Sequence, residues 1–454
     1  MHGVKIENSL VYPKSVRVNT KIQCHGRYCK TVAFVFGETH NSIKSRIFAG
    51  LLNVFDQLNH KKTTMKSRTV FRSSFICAIV LITASMFSCS SQQHEDCMNP
   101  SGFRIMRGVN LSHWLSQDFG WEPKYTYISE KDIRFIDSIG YDHVRIPIDE
   151  MEMWDSAGVP VEKAFQCLHN CLEWCAKYDL RAIVDLHIIR SHHFNAENEG
   201  GINTLWTNQA AQDSFVGLWI KLSGELKKYP NDRVAYEILN EAVAPQHDDW
   251  NQLLNKALSA IREREPNRVI IIGPNMWQIA PNLPFLKIPE GDKNIILSFH
   301  TYSPLAFTHY KAGWTPIKDY HGPVNYPGQI ITDSDYRKYI DTTNQALVNL
   351  TADARDIYNK QRLVEVFRSG MEWAKSKNLQ LYCGEFGCMP TVDRKARLAY
   401  YADMIAAFEE NNIAWCNWEY KGDFGIRFFD MEKKISLQPD FEMIHVLLKN
   451  ADTK

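Results

Sequence analysis

The sequence predicts an α/β fold: a (β/α)8 TIM barrel over residues 103–450, with a long loop insertion between the sixth strand and the helix of the sixth crossover. Three observations predict it. Eight short β-branched runs recur from about residue 104 onward, amphipathic helical stretches fill the gaps between them, and polar residues gather where the runs end. In a barrel of parallel strands, that end of each strand opens onto the loops that carry chemistry.

The runs are RIMRGVN (104–110), DHVRIPI (142–148), RAIVDLH (181–187), VAYEILN (234–240), RVIIIG (268–273), NIILSFH (294–300), LQLYCGE (379–385) and IAWCNW (413–418). Their Val, Ile and aromatic content suits strands buried on both faces. Helices are expected at 129–139, 162–178, 210–229, 249–264, 359–377, 394–411 and 438–449. The fifth crossover, around 278–290, is short and Pro-rich. The stretch 301–358 far exceeds an ordinary βα loop and carries Tyr302, Phe307, Tyr310, Trp314, Tyr320, Tyr326 and Tyr336. It is expected to pack a small core of its own and to border a functional site, and the two roles are compatible.

Lys+Arg and Asp+Glu number 52 each, so no net field draws the chain to nucleic acid or to an anionic membrane surface. Aromatics make up 12% of the residues, with 12 Trp, and such rings stack on the apolar faces of sugars. A neutral carbohydrate is the expected partner. Of the 11 cysteines, Cys167, Cys171 and Cys175 recur every fourth residue on one helical stripe, and Cys383, Cys388 and Cys416 lie in or beside apolar strand segments. With neither a fourth ligand nor CxxC pairs, they read as buried structural thiols and not as a zinc site.

The first hundred residues carry a targeting signal. Residues 1–64 show no sustained hydrophobic period and read as a mis-assigned or disordered N-terminal extension upstream of a start at Met65. Lys66, Arg68 and Arg72 then precede the apolar run FICAIVLITASMF (75–87), too short to span a bilayer. Met86-Phe87-Ser88-Cys89 resembles a bacterial lipobox, although Leu and a small residue are more usual where Met86 and Phe87 stand. Residues 65–88 therefore read as a lipoprotein signal peptide and 89–102 as a tether acylated at Cys89, with a retained signal anchor as the alternative. A monomer in the bacterial cell envelope, lipid-anchored or secreted, is expected.

The polar residues that close the runs are Arg145, His187, Asn240-Glu241, His300 with Tyr302 beyond it, Glu385 and Trp418. Glu241 and Glu385 would face each other across the barrel mouth. Glycoside cleavage needs such a pair, one carboxylic acid to protonate the departing oxygen and one carboxylate to attack the anomeric carbon, at roughly 5 to 5.5 Å for retention. Arg145 would keep the nucleophile ionised, and His300 and Tyr302 would complete its network. Glu237 shares the strand parity of Glu241 and reads as a structural ion-pair member lower in the barrel. His187, His192 and His193 lack a clustered acid at ligand spacing and read as hydrogen-bonding partners of sugar hydroxyls, with no metal. Asp149 and Glu150 are rim residues or subsite contacts. Trp114, Trp206, Trp277 and Trp314 are stacking candidates for which packing is the alternative.

The segments RGVNLSHW (107–114), HVRIP (143–147), VDLH (184–187), ILNEAV (238–243), FHTY (299–302), GEFG (384–387) and NWEY (417–420) resemble glycoside hydrolase family 5 over nearly all of residues 103–450. The resemblance implies that Glu241 is the acid/base and Glu385 the nucleophile, supported by Arg145, His187, Asn240, His300, Tyr302 and Trp418. It implies a retaining β-glycosidase that cleaves a β-linked polysaccharide or oligosaccharide by double displacement, without a cofactor. Ala242 stands where the family often has Pro, which alters the turn and leaves the carboxylate in place. The motif RGVNLSHWL is similar to the RGVNLGGWL of exo-β-1,3-glucanases, while the general layout suits endo-β-1,4-glucanases. β-Mannanase and xyloglucanase also stay open, as does, outside enzymes, a surface glycan-binding protein, against which the matched carboxylates argue.

Overall fold

The computed structural model describes residues 99–449, apart from 119, 121, 122 and 197–200, together with the short strands Ile22–Cys24 and Arg27–Cys29. The chain divides into two units, Met1–Phe87 and Ser88–Lys454. In the first, the two short strands pair antiparallel, with Gln23 opposite Tyr28. The expected signal peptide, residues 89–98 of the tether with Cys89, and the rest of the N-terminal extension lie outside the described residues.

In the second unit eight parallel strands close a barrel. They are β1 (Arg107–Asn110), β2 (His143–Asp149), β3 (Arg181–Ile188), β4 (Val234–Glu237), β5 (Ile270–Ile272), β6 (Ile295–His300), β7 (Gln380–Glu385) and β8 (Ala414–Asn417). Each overlaps its predicted run, and β8 closes the ring by pairing Asn417 with Val109 of β1. The helices α1 (Glu130–Ser138), α2 (Glu162–Lys177), α3 (Gln209–Leu226), α4 (His247–Arg262), α5 (Lys360–Lys377), α6 (Arg394–Glu410) and α7 (Phe441–Leu448) also stand close to expectation. The short fifth crossover is a 3-10 helix, Ala280–Phe285, because Pro281 and Pro284 remove the donors a longer α-helix needs.

Period-two alternation sorts each strand into an outer and an inner face. Val144, Ile146, Val184, Leu186, Ile295, Leu297 and Phe299 face the helices in one large apolar cluster. The inner face begins with a second apolar cluster, in which Ile183, Ala235, Ile271, Ile296, Tyr382 and Ala414 fill the barrel above Phe103 and Ile105. Beyond it the same face turns polar, with Arg145, Asp185, Glu237 and Ser298 all buried. The barrel is thus a packed core whose last layers are reserved for charge.

The helices are tied to this core by their caps and by two tryptophans. Asn208 and Asp393 accept backbone N–H bonds at the starts of α3 and α6, and Asn378 ends α5 in a left-handed conformation. Trp219 of α3 donates Nε1–H to the Ile238 carbonyl at 2.8 Å, and Trp250 of α4 donates to Gly273 at 2.9 Å. Both bonds brace chain just before the cleft. Cys171, Cys175, Cys383, Cys388 and Cys416 are buried and Cys167 is half-buried, the placement expected of structural thiols.

The insertion after β6 folds as short helices, including Leu305–Thr308, Asp333–Tyr339 and Gln345–Leu350, and a two-residue ribbon that pairs Gly328–Gln329 with Ile357–Tyr358. Phe307, Tyr310, Tyr320 and Tyr326 are buried, and the tyrosine hydroxyls donate to Gly322, Pro323 and Asp403. Phe307 meets Tyr326 and Tyr400 of α6 with centroids 5.5 and 5.6 Å apart, so the insertion docks on the barrel wall. A hairpin of Arg427–Asp430 and Ile435–Pro439 follows β8. It was not anticipated, because its half-exposed strands carry no regular apolar alternation.

If the insertion is part of the same cooperative unit, Phe307→Ala should lower stability by about 3–5 kcal/mol, as buried aromatic truncations do. Urea unfolding followed by Trp fluorescence should show one transition at lower midpoint. Two separate transitions would mean that the insertion unfolds on its own.

Candidate active site

The C-terminal ends of the strands open onto a cleft of about 1100 Å³. Its floor is built around Arg145, which has no exposed surface. The guanidinium donates from Nε to Glu237 at 2.7 Å, from Nη1 to Asn110 at 3.0 Å and Glu385 at 2.7 Å, and from Nη2 to Asn240 at 2.9 Å. Nη2 also pairs with Asp185 at 3.0 Å. A buried charge is tolerated only when paired and hydrogen-bonded, and the planar fork meets partners from four strands or their ends.

Glu385 closes β7, where a register shift between Cys383 and Glu385 resets the alternation and turns the carboxylate inward. One oxygen is held by Arg145 and the other accepts from the Tyr302 hydroxyl at 2.9 Å. Glu241 stands just past β4 in a left-handed backbone conformation, φ +44°, with its carboxylate 2.7 Å from His300 Nδ1. His300 also lies 3.7 Å from Glu385, and oxygens of the two glutamates approach within 4.8 Å. His300 was expected on the Glu385 side. It sits first on Glu241, because Gln278 takes the N–H groups of both Glu241 and His300 and so brings the two together.

Asp185, Glu237, Glu241 and Glu385 surround one buried cation, and burial raises all four carboxyls. They cannot all ionise together. Glu241 is lifted furthest, by burial and then by the charge of Glu385. Burial lifts Glu385 as well, but Arg145 and the Tyr302 hydroxyl pull it back, so it ionises before Glu241. The low carboxyl expected at Glu385 from the sequence is low only relative to Glu241. Burial, then Arg145, holds His300 well below the usual imidazole range, so it is neutral and Glu241 can carry the proton on their shared contact.

His187, kept neutral by burial at about 4, bonds Asp185 through Nδ1 at 2.6 Å and stacks on Trp418 with centroids 5.7 Å apart and planes 12° apart. Trp277 and Trp314 border the cleft at 36% and 43% exposure, and His193 and Phe194 line it. His113, Glu419 and Asp423 form a second polar group beside Trp418, with His113 Nε2 3.1 Å from Glu419. Burial opposes the imidazolium there, yet Glu419 prevails and pushes His113 up to about 9. Among the described residues, this group and the set Glu241, His300 and Glu385 are those with ligand atoms close enough to hold a metal ion. In the first, His113 Nε2 already faces Glu419, and in the second His300 Nδ1 already bonds Glu241.

Arg145, His187, Asn240, Glu241, His300, Tyr302, Glu385 and Trp418 are thus brought together. Three expected contacts are not, and one of them, Trp206, packs against the buried Trp250 away from the cleft. Trp114 is buried in the core, because β1 ends at Asn110 and the chain turns its indole back under the barrel wall. His192 accepts the Val243 N–H at 3.1 Å and packs on Trp206, so it props the Glu241 loop from beneath, away from the cleft. Asp149 is buried, bonded to the Gln117 and Ile188 N–H groups, and Glu150 pairs with Arg190; both are structural. Glu237 is the ion-pair member its depth suggested. Asn110, Asp185 and Gln278 escaped sequence reading. Asp185 lies two residues before His187 on the same face, a signal that parity could have caught; Gln278 lies in a loop and offered none.

The family model for cellulase, glycosyl hydrolase family 5, matches residues 98–423. Endoglucanase C of Acetivibrio thermocellus is 33% identical over 351 residues, covering 75% of this chain and 97% of that protein. Cellodextrinase A of Ruminococcus flavefaciens is 28% identical, covering 68% and 84%. The crystal structure of Cel5A from Thermotoga maritima with cellobiose superimposes with a TM-score of 0.59 at 23% identity, covering 76% of this chain and 98% of that one. The shared fold, the strand-end carboxylates and the family match agree: this chain belongs to glycosyl hydrolase family 5, a family of retaining O-glycoside hydrolases.

Proposed function

We propose that the chain is an endo-β-1,4-glucanase in which Glu241 is the acid/base and Glu385 the nucleophile. The observation that carries this reading is the pair itself: two carboxyls within 4.8 Å, one held by Arg145 and Tyr302, the other raised by burial against a neutral histidine. The spacing suits direct attack and leaves no room for a water between them.

Glu385 attacks the anomeric carbon as Glu241 delivers its proton to the departing oxygen, leaving a glycosyl ester on Glu385. Loss of the Glu241 proton then lets that residue draw a proton from water, which attacks the same carbon and frees Glu385. His187 and Asn240 would bond sugar hydroxyls next to the reacting carbon. Trp418 would carry the sugar on that side, and Trp277 and Trp314 the sugars farther along. The relatives at 33% and 28% identity are named an endoglucanase and a cellodextrinase, which supports a β-1,4-glucan. A second reading, exo-β-1,3-glucanase, draws on the motif RGVNLSHWL at the first strand. The basic stretch after Met65, the apolar run 75–87 and Cys89 support export, with the mature monomer tethered to the cell envelope by a lipid on Cys89.

Glu241→Gln should lower kcat on an unactivated glucan by roughly 10²–10⁴-fold, the usual share of general acid catalysis. Glu385→Gln should lower it by at least about 10⁴-fold, as losing a nucleophile does. Both should keep the parent circular dichroism spectrum, and full turnover in either would discard the assignment.

The profile of kcat/KM against pH should be bell-shaped. Activity rises as Glu385 ionises and falls as Glu241 loses its proton, so the alkaline limb should lie well above the ordinary carboxylate range. Measured with phenyl β-cellobioside, whose leaving group needs a proton, Glu241→Gln should lose that limb. A limb unchanged in the mutant would assign it to another group.

Reducing-sugar release from carboxymethylcellulose, laminarin, mannan and xyloglucan decides the linkage. The highest rate is expected on carboxymethylcellulose, with the β-anomer as the first product by proton NMR. Release from laminarin alone would select the exo-β-1,3 reading, and an early α-anomer would rule out double displacement.

A further inference from the structure

Glu241 has a backbone shape that a non-glycine residue rarely adopts unaided. The support comes from the next crossover. After β5 the chain runs through three consecutive left-handed residues, Met276, Trp277 and Gln278, with φ of 65°, 57° and 51°. This coil wraps the Glu241 turn: the N–H groups of Met276 and Trp277 donate to the Ala242 carbonyl at 2.8 and 3.3 Å. Gln278, 1% exposed, ends it.

Every polar group of Gln278 except its N–H is aimed at the site. Its side-chain oxygen accepts the Glu241 N–H at 2.7 Å, and its amide nitrogen donates to Glu237 and to Ser298, both at 3.2 Å. Its backbone carbonyl accepts the His300 N–H at 2.9 Å. The amide orientation is fixed by these partners, because Glu241 N–H can only donate and an ionised Glu237 only accept. Gly273 leaves the room: a Cβ there would stand 2.4 Å from the Gln278 side chain.

We infer that Gln278 is the positioning residue of the acid/base. It grips the backbones of both Glu241 and His300, and so sets the 2.7 Å contact through which the proton is held, while its amide links that contact to Glu237 beneath Arg145. A glutamine suits the post because it offers an acceptor and a donor without adding a fifth acid beside the one cation. This inference rests on Glu241 being the acid/base.

The test compares kcat/KM for phenyl and 2,4-dinitrophenyl β-cellobioside, which share a glycone and differ in whether the leaving group needs a proton. In Gln278→Met the phenyl substrate should lose about tenfold to a hundredfold and the dinitrophenyl substrate less than about threefold, since only the first uses the acid. The ratio of the two, taken on one preparation, does not depend on how much of it is folded. Gln278→Glu keeps the acceptor and, while protonated, a donor to Glu237, so at acid pH its ratio should return to within about threefold of the parent. Glu241→Ala is the reference: it should show the same split, with azide restoring turnover of the dinitrophenyl substrate. Absence of the split in Glu241→Ala would overturn the acid/base assignment. A split there, with equal losses on both substrates in Gln278→Met or no recovery in Gln278→Glu, would overturn the role of Gln278 alone.

Discussion

One buried guanidinium organises the catalytic end of this barrel. Removing a cation from water costs several kcal/mol even after relaxation, and Arg145 offsets that cost only by drawing acids and amides from β1, β3, β4 and β7 into one ring. The ring in turn limits its acids. A single positive charge cannot hold four carboxylates ionised, so one must keep its proton, and the one left without a bond to Arg145 is Glu241. Charge balance thus separates the roles of two chemically identical side chains before any substrate arrives.

Around that ring the fold is arranged to remove freedom. The apolar layer of Ile183, Ala235, Ile271 and Ile296 stops water from entering from below. Trp219 and Trp250, each donating one hydrogen bond to a strand end, brace the chain leaving β4 and β5 from the helical side. His192 supports the Glu241 loop through the Val243 N–H, and Gln278 holds it from the neighbouring crossover. Preorganisation of this kind lets a proton move without the protein having to reorient its dipoles.

The cleft walls follow a different logic. The insertion after β6 supplies Tyr302 to Glu385 and Trp314 to the rim, while Phe307 and Tyr326 dock on Tyr400 of α6 and Tyr310, Tyr320 and Tyr339 pack among themselves. The loop after β8 contributes Trp418, Glu419 and Asp423, and with His113 from the loop after β1 it makes the side of the cleft rich in charge. Trp277 and Trp314 thus come from the crossovers after β5 and β6, while Trp418 stands beside the ionic group.

The sequence by itself determined the eight strands, the seven helices, and Glu241 and Glu385 as an opposed pair. These are local or periodic facts: buried parallel strands are apolar throughout, helices repeat at 3.6 residues, and reactive groups follow strand ends. Only the tertiary structure decided that Trp114 and His192 turn into the core while Trp277 and Trp314 reach the cleft, since a ring in a loop has no period to reveal its face. It also decided that His300 serves Glu241 first, that the half-exposed hairpin at 427–439 exists, and that Gln278 clamps a residue 37 positions away. Such contacts depend on where separate loops meet in space, and no spacing along a single stretch of chain encodes that meeting.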